Sequence, residues 1–190
     1  MVWPVDMASP SDVRAALRAV HERFGRLDAV ANVAAIYPRA ATADVTEEFW
    51  DRLMAINLRG VFFCCQEAIA VMLTQGSGAI VNVASGAAFQ PVAGHAVYSA
   101  TKAGMVGMTR VLALEHARTG VRVNVVAPDH TASHDDPASK ELYEAMAPSL
   151  VPGRWLTPDE SANAIVWLCS DEASGLNGAI VNVNGGIYMP

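Results

Sequence analysis

The stretch LDAVANVAA, residues 27–35, carries the reading of the fold. It is mostly apolar without strict alternation and too short for a helix of ordinary length, so it reads as a strand covered on both faces. That is the condition of strands in a parallel sheet. Immediately before it, Val13, Leu17, Val20 and Phe24 recur at helical spacing, between an N-cap signal at Ser9-Pro10 and a left-handed cap signal at Gly25. Residues 2–5 form a short apolar run closed by Asp6 and read as an earlier strand. After it the alternation repeats. Thr46-Glu47-Glu48 opens a helix to about Leu73, residues 79–83 make a strand, and a helix covers roughly 97–118 up to Gly120. Residues 121–127 are another strand, Thr157-Pro158-Asp159-Glu160 is a capping box for a helix to about Cys169, and residues 179–183 are the last strand. Strands separated by helices imply right-handed crossovers and an α/β, doubly wound parallel sheet in a single domain, residues 1–190.

Composition narrows the functional classes. The 190 residues are 52% apolar and 17% charged, enough for one substantial core. A formal charge of −6 and a pI near 5.3 supply no basic field for nucleic acid or an anionic membrane. Cys64, Cys65 and Cys169 form neither a disulfide framework nor a metal pattern, which suits a reduced, cytoplasmic setting. No basic start precedes a long apolar stretch, and no uninterrupted apolar run reaches spanning length, so neither secretion nor membrane spanning is expected.

Residues 129–156 break the alternation with His130, His134, Asp135, Asp136, Pro137, Pro148 and Pro152. Loops beyond the carboxyl ends of parallel strands are where such sheets hold ligands, so this segment is expected to be a substrate lid with one short helix near 140–146. His130 and His134 have helical ligand spacing, but Pro137 argues against the helix that would align them, and no metal site is expected.

Tyr98 and Lys102, four apart in YSATK, share one helix face. Ser85 at the end of a strand and Asn57 inside a long helix add two polar groups that local structure does not require. In order and spacing, LDAVANVAA, MAINLRG around Asn57, IVNVAS ending at Ser85, YSATKAG, VRVNVVAP and the terminal SGLNGAIVNVNGG resemble the short-chain dehydrogenase/reductase family over nearly the whole chain.

That resemblance implies a Rossmann-like fold and a catalytic set of Asn57, Ser85, Tyr98 and Lys102. A carbonyl receiving hydride needs a proton donor and a fixed hydrogen bond at its oxygen, the roles of Tyr98 and Ser85. Lys102 is expected to favour the phenolate by its charge and to grip the nicotinamide ribose, with Asn57 holding a water against it. The implied cofactor is NAD or NADP, held through Asp6, Asn32, Ala34, Tyr98, Lys102, Pro128 and Ser133, and the implied substrate is a small alcohol or carbonyl compound. A homodimer or homotetramer is implied through the helices around Asn57 and Tyr98.

The chain departs from the family at three places. Ala35 stands where the family has Gly, Asp129 follows Pro128 where the family has Gly, and no Gly-x-Gly-x-x-Gly occurs in the 190 residues. The family opens with a strand, a glycine-rich turn and a helix that receive the pyrophosphate, so the chain reads as N-terminally truncated by two strands, with weak cofactor binding expected. Either residues 2–6 pair with 27–35 or a sheet edge lies open. Two alternatives remain: a cofactor-free lyase or isomerase reusing Tyr98 and Lys102, and a non-catalytic partner subunit. His95, Phe89, Gln90, Tyr143, Met146 and Trp155 are candidates to line the substrate pocket.

Overall fold

The computed structural model describes residues 2–132, 145, 147–187 and 189. Its centre is a parallel sheet of four strands in the order β1-β2-β3-β4. These are β1 (Ala29–Asn32), β2 (Gly78–Val83), β3 (Val121–Pro128) and β4 (Ile180–Val183). Alternation along the strands divides two cores. Ile80, Val123 and Val125 face one side, against Val61, Cys65 and Met72 below and Met105 and Leu112 beside them, while Val81 and Val126 face the other, against Leu168 and Ala173. A doubly wound sheet with a helical layer on each face follows from that period of two.

Local chemistry places the helices. α1 (Pro10–Phe24) starts where the Ser9 hydroxyl accepts from the Asp12 N–H and ends on Gly25 at φ 76°. The helix opened by Thr46 comprises α2 (Glu47–Met54), a π turn (Ala55–Arg59) and α3 (Gly60–Gln75), and it stops at Gly76 in the left-handed region. By length and composition, residues 47–75 are apolar enough to cross a membrane, but here Leu53, Val61, Ala68 and Met72 are buried inside the fold. α4 (Ala96–Glu115) lies beside α3, and α5 (Pro158–Cys169) covers the opposite face behind its capping box. Burial pushes the thiols of Cys64 and Cys65 up to about 11 and 12, which makes them packing groups.

Two strand expectations need correction. Residues 2–6 form no strand and are exposed, Val2 at 96%. Pro4 lacks the N–H a ladder requires, which leaves this stretch a poor partner for β1. Among the described residues β1 pairs only with β2, so its other edge is open. β1 is also shorter than residues 27–35 and is not covered on both faces, since Ala29 and Ala31 are exposed. Of the short helix expected near 140–146, residues 140–144 and 146 lie outside the described residues, and Ala145 is described and helical. What is described of the 129–156 segment has its two ends joined by a bridge between Thr131 and Leu156.

A buried polar cluster lies between β1, β2, α3 and α4. Asn32 Nδ2 donates to Asn82 Oδ1 at 2.8 Å, Asn82 Nδ2 donates to Thr109 Oγ1 at 2.9 Å, and Cys65 Sγ lies 3.4 Å from Asn82 Oδ1. Asn82 is fully buried and serves every member. Asn82→Leu, similar in volume, strands the Asn32 amide and should lower unfolding free energy by about 2–4 kcal/mol. Urea denaturation checks this; an unchanged midpoint would show that the cluster adds nothing to stability.

Candidate active site

The carboxyl ends of β1, β2 and β3 bring together the residues singled out from sequence. Asn57 sits in the π turn, where the Gly60 N–H reaches five residues back to the Ala55 carbonyl. Such a turn widens the helix and is frequent at functional sites. The fully buried Asn57 amide closes two bonds on one residue, accepting from the Ile36 N–H at 2.9 Å and donating to the Ile36 carbonyl at 2.7 Å. It therefore fixes the loop that follows β1. Its Nδ2 also lies 3.5 Å from Thr101 Oγ1, and that hydroxyl donates to the Tyr98 carbonyl at 2.7 Å. Thr101 escaped the sequence reading, although it adjoins Lys102 in the same motif.

Ser85 follows β2, and its hydroxyl accepts from the Ala87 N–H at 3.2 Å. Tyr98 stands in the first turn of α4 with its phenol near enough to the Ser85 hydroxyl to be eased toward ionisation by it. Lys102, one turn on, is 2% exposed. Its Nζ donates to the Val83 carbonyl at 2.6 Å and lies 5.7 Å from the centre of the Tyr98 ring.

The electrostatics differ from the expectation that Lys102 brings the phenol down. Burial, first, raises Tyr98 above its usual 10; the Ser85 hydrogen bond opposes this, and Tyr37 and the Asp129 carboxylate add to it. Lys102 is itself pulled down to about 8 by burial. Desolvation disfavours both charged forms, so near neutral pH the phenol is protonated.

The rest of the rim is mixed. His95 precedes α4, with its ring edge-on to Tyr98 at 5.3 Å, and Tyr37 meets Tyr98 from the loop after β1 at 6.4 Å. Asp129 Oδ1 accepts from the His130 N–H at 2.8 Å. It is also 2.8 Å from His130 Nδ1, within ion-pair distance if His130 is protonated, though that nitrogen is not aligned for a hydrogen bond. A Cβ at Gly86 would fall 2.0 Å from Asp129 Oδ2, so glycine there is what admits the aspartate. His130 takes φ 42°, unusual for a side-chain-bearing residue, and its ring lies 5.3 Å from Trp155.

The expected cofactor contacts are distributed unevenly. Ala34 is exposed just past β1, and Pro128 is half-buried at the end of β3. Asn32 turns its side chain into the polar cluster, which leaves its backbone for any ligand. Asp6 accepts from the Ala8 N–H at 2.8 Å, an Asx turn ahead of α1. Gln90 reaches the Ile187 carbonyl, and Phe89 packs against the core. Ser133, His134, Tyr143 and Met146 lie outside the described residues; among those described, no three potential ligands form a metal cluster.

Burying Lys102 has a measurable sign. A lysine with its folded pKa depressed to about 8 binds fewer protons than the unfolded chain between about 8 and 10.5. Stability should therefore rise with pH across that window and lack the contribution below it; Tyr98, shifted up, acts in the opposite sense only above 10. Lys102→Met should gain about 3 kcal/mol at pH 7 and lose the slope between pH 8 and 10. Urea unfolding of both proteins across this range tests it, and parallel curves would rule it out.

Comparison with known proteins agrees with this geometry. The family described as Enoyl-(Acyl carrier protein) reductase matches residues 1–188. The chain is 40% identical over 187 residues to 3-oxoacyl-[acyl-carrier-protein] reductase FabG of Staphylococcus aureus, covering 97% of this chain and 75% of that protein. It is also 40% identical to D-threitol dehydrogenase of Mycolicibacterium smegmatis, covering 95% of this chain and 70% of the relative. The crystal structure of levodione reductase superimposes with a TM-score of 0.89 at 32% identity, over 96% of this chain and 74% of that one. The parallel sheet, the motifs that end its strands and these relatives together show that the chain belongs to the short-chain dehydrogenase/reductase family and is an oxidoreductase of that type.

Proposed function

We propose that this chain interconverts an alcohol and a carbonyl compound, with Tyr98 exchanging the proton on the substrate oxygen. The observation that carries the reading is the Tyr98 phenol set near the Ser85 hydroxyl, with the Lys102 ammonium buried beside its ring. A phenol held neutral suits donation to the alkoxide that develops as a carbonyl is reduced. The Ser85 hydroxyl supplies the second hydrogen bond at that oxygen. Thr101 and Asn57 hold the turn of α4 that carries Tyr98, and Lys102 sets the charge beneath the phenol.

The family's NAD or NADP fits the donor set at one end of the crevice. The Lys102 ammonium has three N–H groups and gives one to Val83, which leaves donors for a ribose, while Ala34, the Asn32 backbone and Pro128 border the same strand ends. Asp6 retains a carboxylate oxygen outside its turn for a polar edge of the nucleotide, and Ser133 would join from the 129–156 segment. When bound, the nicotinamide supplies or accepts the hydride. Residues 129–156 would cover the crevice as a lid, hinged where Thr131 and Leu156 meet. The free cysteines suit a reducing compartment such as the cytoplasm.

Tyr98→Phe should lower turnover by roughly 10²–10⁴ and leave nucleotide affinity nearly unchanged. The 190 residues alone, containing no Gly-x-Gly-x-x-Gly cradle for the pyrophosphate, should bind NADH or NADPH no tighter than about millimolar. Steady-state assays and nucleotide fluorescence measure the two. Normal turnover of Tyr98→Phe removes the role given to Tyr98, and micromolar binding means that other residues cradle the phosphates.

The same reading includes self-association. A cavity of about 890 Å³ between the π-turn helix and α4 is lined by Leu58, Phe62 and Met108 together with Asp51, Arg52 and Arg59. An apolar groove that also carries both signs of charge can be self-complementary across a two-fold axis, which favours a second copy of the chain. Light scattering should give a dimer or tetramer at micromolar concentration; a monomer throughout would exclude this face.

A further inference from the structure

The loop after β1 puts a cation on the histidine whose ring packs against Tyr98. Ala40 donates its N–H to the Gly94 carbonyl at 3.0 Å, and Arg39 Nε donates to His95 Nε2 at 3.0 Å, so two bonds clamp this loop to the residues ahead of α4. Arginine only donates, so His95 Nε2 must accept, and the imidazole is neutral with its proton on Nδ1. Burial, and then the adjacent Arg39, hold the His95 pKa below its usual value, which preserves that arrangement. The His95 ring is 9% exposed and sits edge-on to Tyr98, a fixed mount for an exposed guanidinium.

Arg39 differs from arginines used in surface pairs. Arg18, Arg26 and Arg154 each meet a carboxylate, on Glu67, Asp28 and Glu160. Among the described residues Arg39 meets none, in a chain with 19 acidic and 13 basic side chains, and its other N–H groups have no described partner. The carboxylate that influences Tyr98 comes from a different element, Asp129 at the end of β3. The surroundings of Tyr98 are thus asymmetric: Asp129 acts on the phenol from the end of β3, and the Arg39 cation is reached through His95 from the loop after β1.

We propose that Arg39 is a specificity-determining residue that selects alcohols and carbonyl compounds bearing a carboxylate over their neutral counterparts. The inference rests on the reading of Tyr98 as the reacting phenol only for where the substrate lies. A guanidinium with Nε committed still presents N–H groups to a carboxylate, and charge-assisted bonds of this kind exceed neutral ones.

A matched pair of aromatic alcohols tests it, 4-(hydroxymethyl)benzoate and its isosteric amide, 4-(hydroxymethyl)benzamide. Binding to the full chain is read by ligand-observed NMR titration, which needs no turnover. The carboxylate should bind about 10-fold or more tighter than the amide. Arg39→Gln should bring the ratio to about one, and Arg39→Lys should keep part of it, each with a nearly unchanged urea midpoint because the position is exposed and both replacements keep an N–H donor for His95. A ratio near one in the unsubstituted protein, a carboxylate that fails to bind, or a preference surviving Arg39→Gln overturns the proposal. The preference should persist in Tyr98→Phe, so failure of the catalytic reading would appear in turnover and failure of this one in the binding ratio.

Discussion

The bond from the buried Lys102 ammonium to the Val83 carbonyl ties the first turns of α4 to the end of β2, and the site's geometry depends on it. A charge this deeply buried is costly, and the drop of its pKa to about 8 measures that cost. Helical spacing sets Lys102 one turn from Tyr98, and the bond anchors that turn to the end of β2, two residues before Ser85. An apolar residue would pack there with less penalty. Retaining lysine exchanges stability for a charge held next to the Tyr98 phenol, a kind of trade common at active sites.

A second constraint, the π turn, works through the backbone. One extra residue in the helical ladder frees Asn57 to grip both polar groups of Ile36, so the loop after β1 is held by a side chain that cannot reach solvent. Tyr37 and Arg39 follow within three residues of that grip. The Ala40–Gly94 and Arg39–His95 bonds close the far side of the same loop. Asn57 and Thr101 thus form a chain of contacts from the π turn to the Tyr98 carbonyl in the first turn of α4, so the loop after β1 and that turn are positioned together.

The third element is Asp129 against Gly86. Glycine at 86 lets a carboxylate approach where a methyl group could not fit, and the carboxylate then makes the Tyr98 phenol harder to ionise. Its neighbour His130 takes a left-handed backbone conformation and sets its ring near Trp155. The end of β3 therefore contributes an anion that acts on Tyr98 and an aromatic contact to Trp155.

The linear sequence determined the helices, their caps and the parallel strands from β1 onward, because helical spacing, Ser9, Gly25, Thr157 and the short apolar runs are local signals. It also placed Asn57, Ser85, Tyr98 and Lys102 through the order of their motifs. It misjudged residues 2–6, where apolar composition suggests a strand but Pro4 and the absence of a described ladder partner leave exposed chain. Nor did it find Arg39 and Thr101, whose roles arise from residues 56 and 44 positions away. The protonation preferences were likewise outside its reach. Spacing shows that Lys102 can approach Tyr98, but only the packed fold removes water from both, and desolvation rather than their mutual attraction then dictates that the phenol keeps its proton.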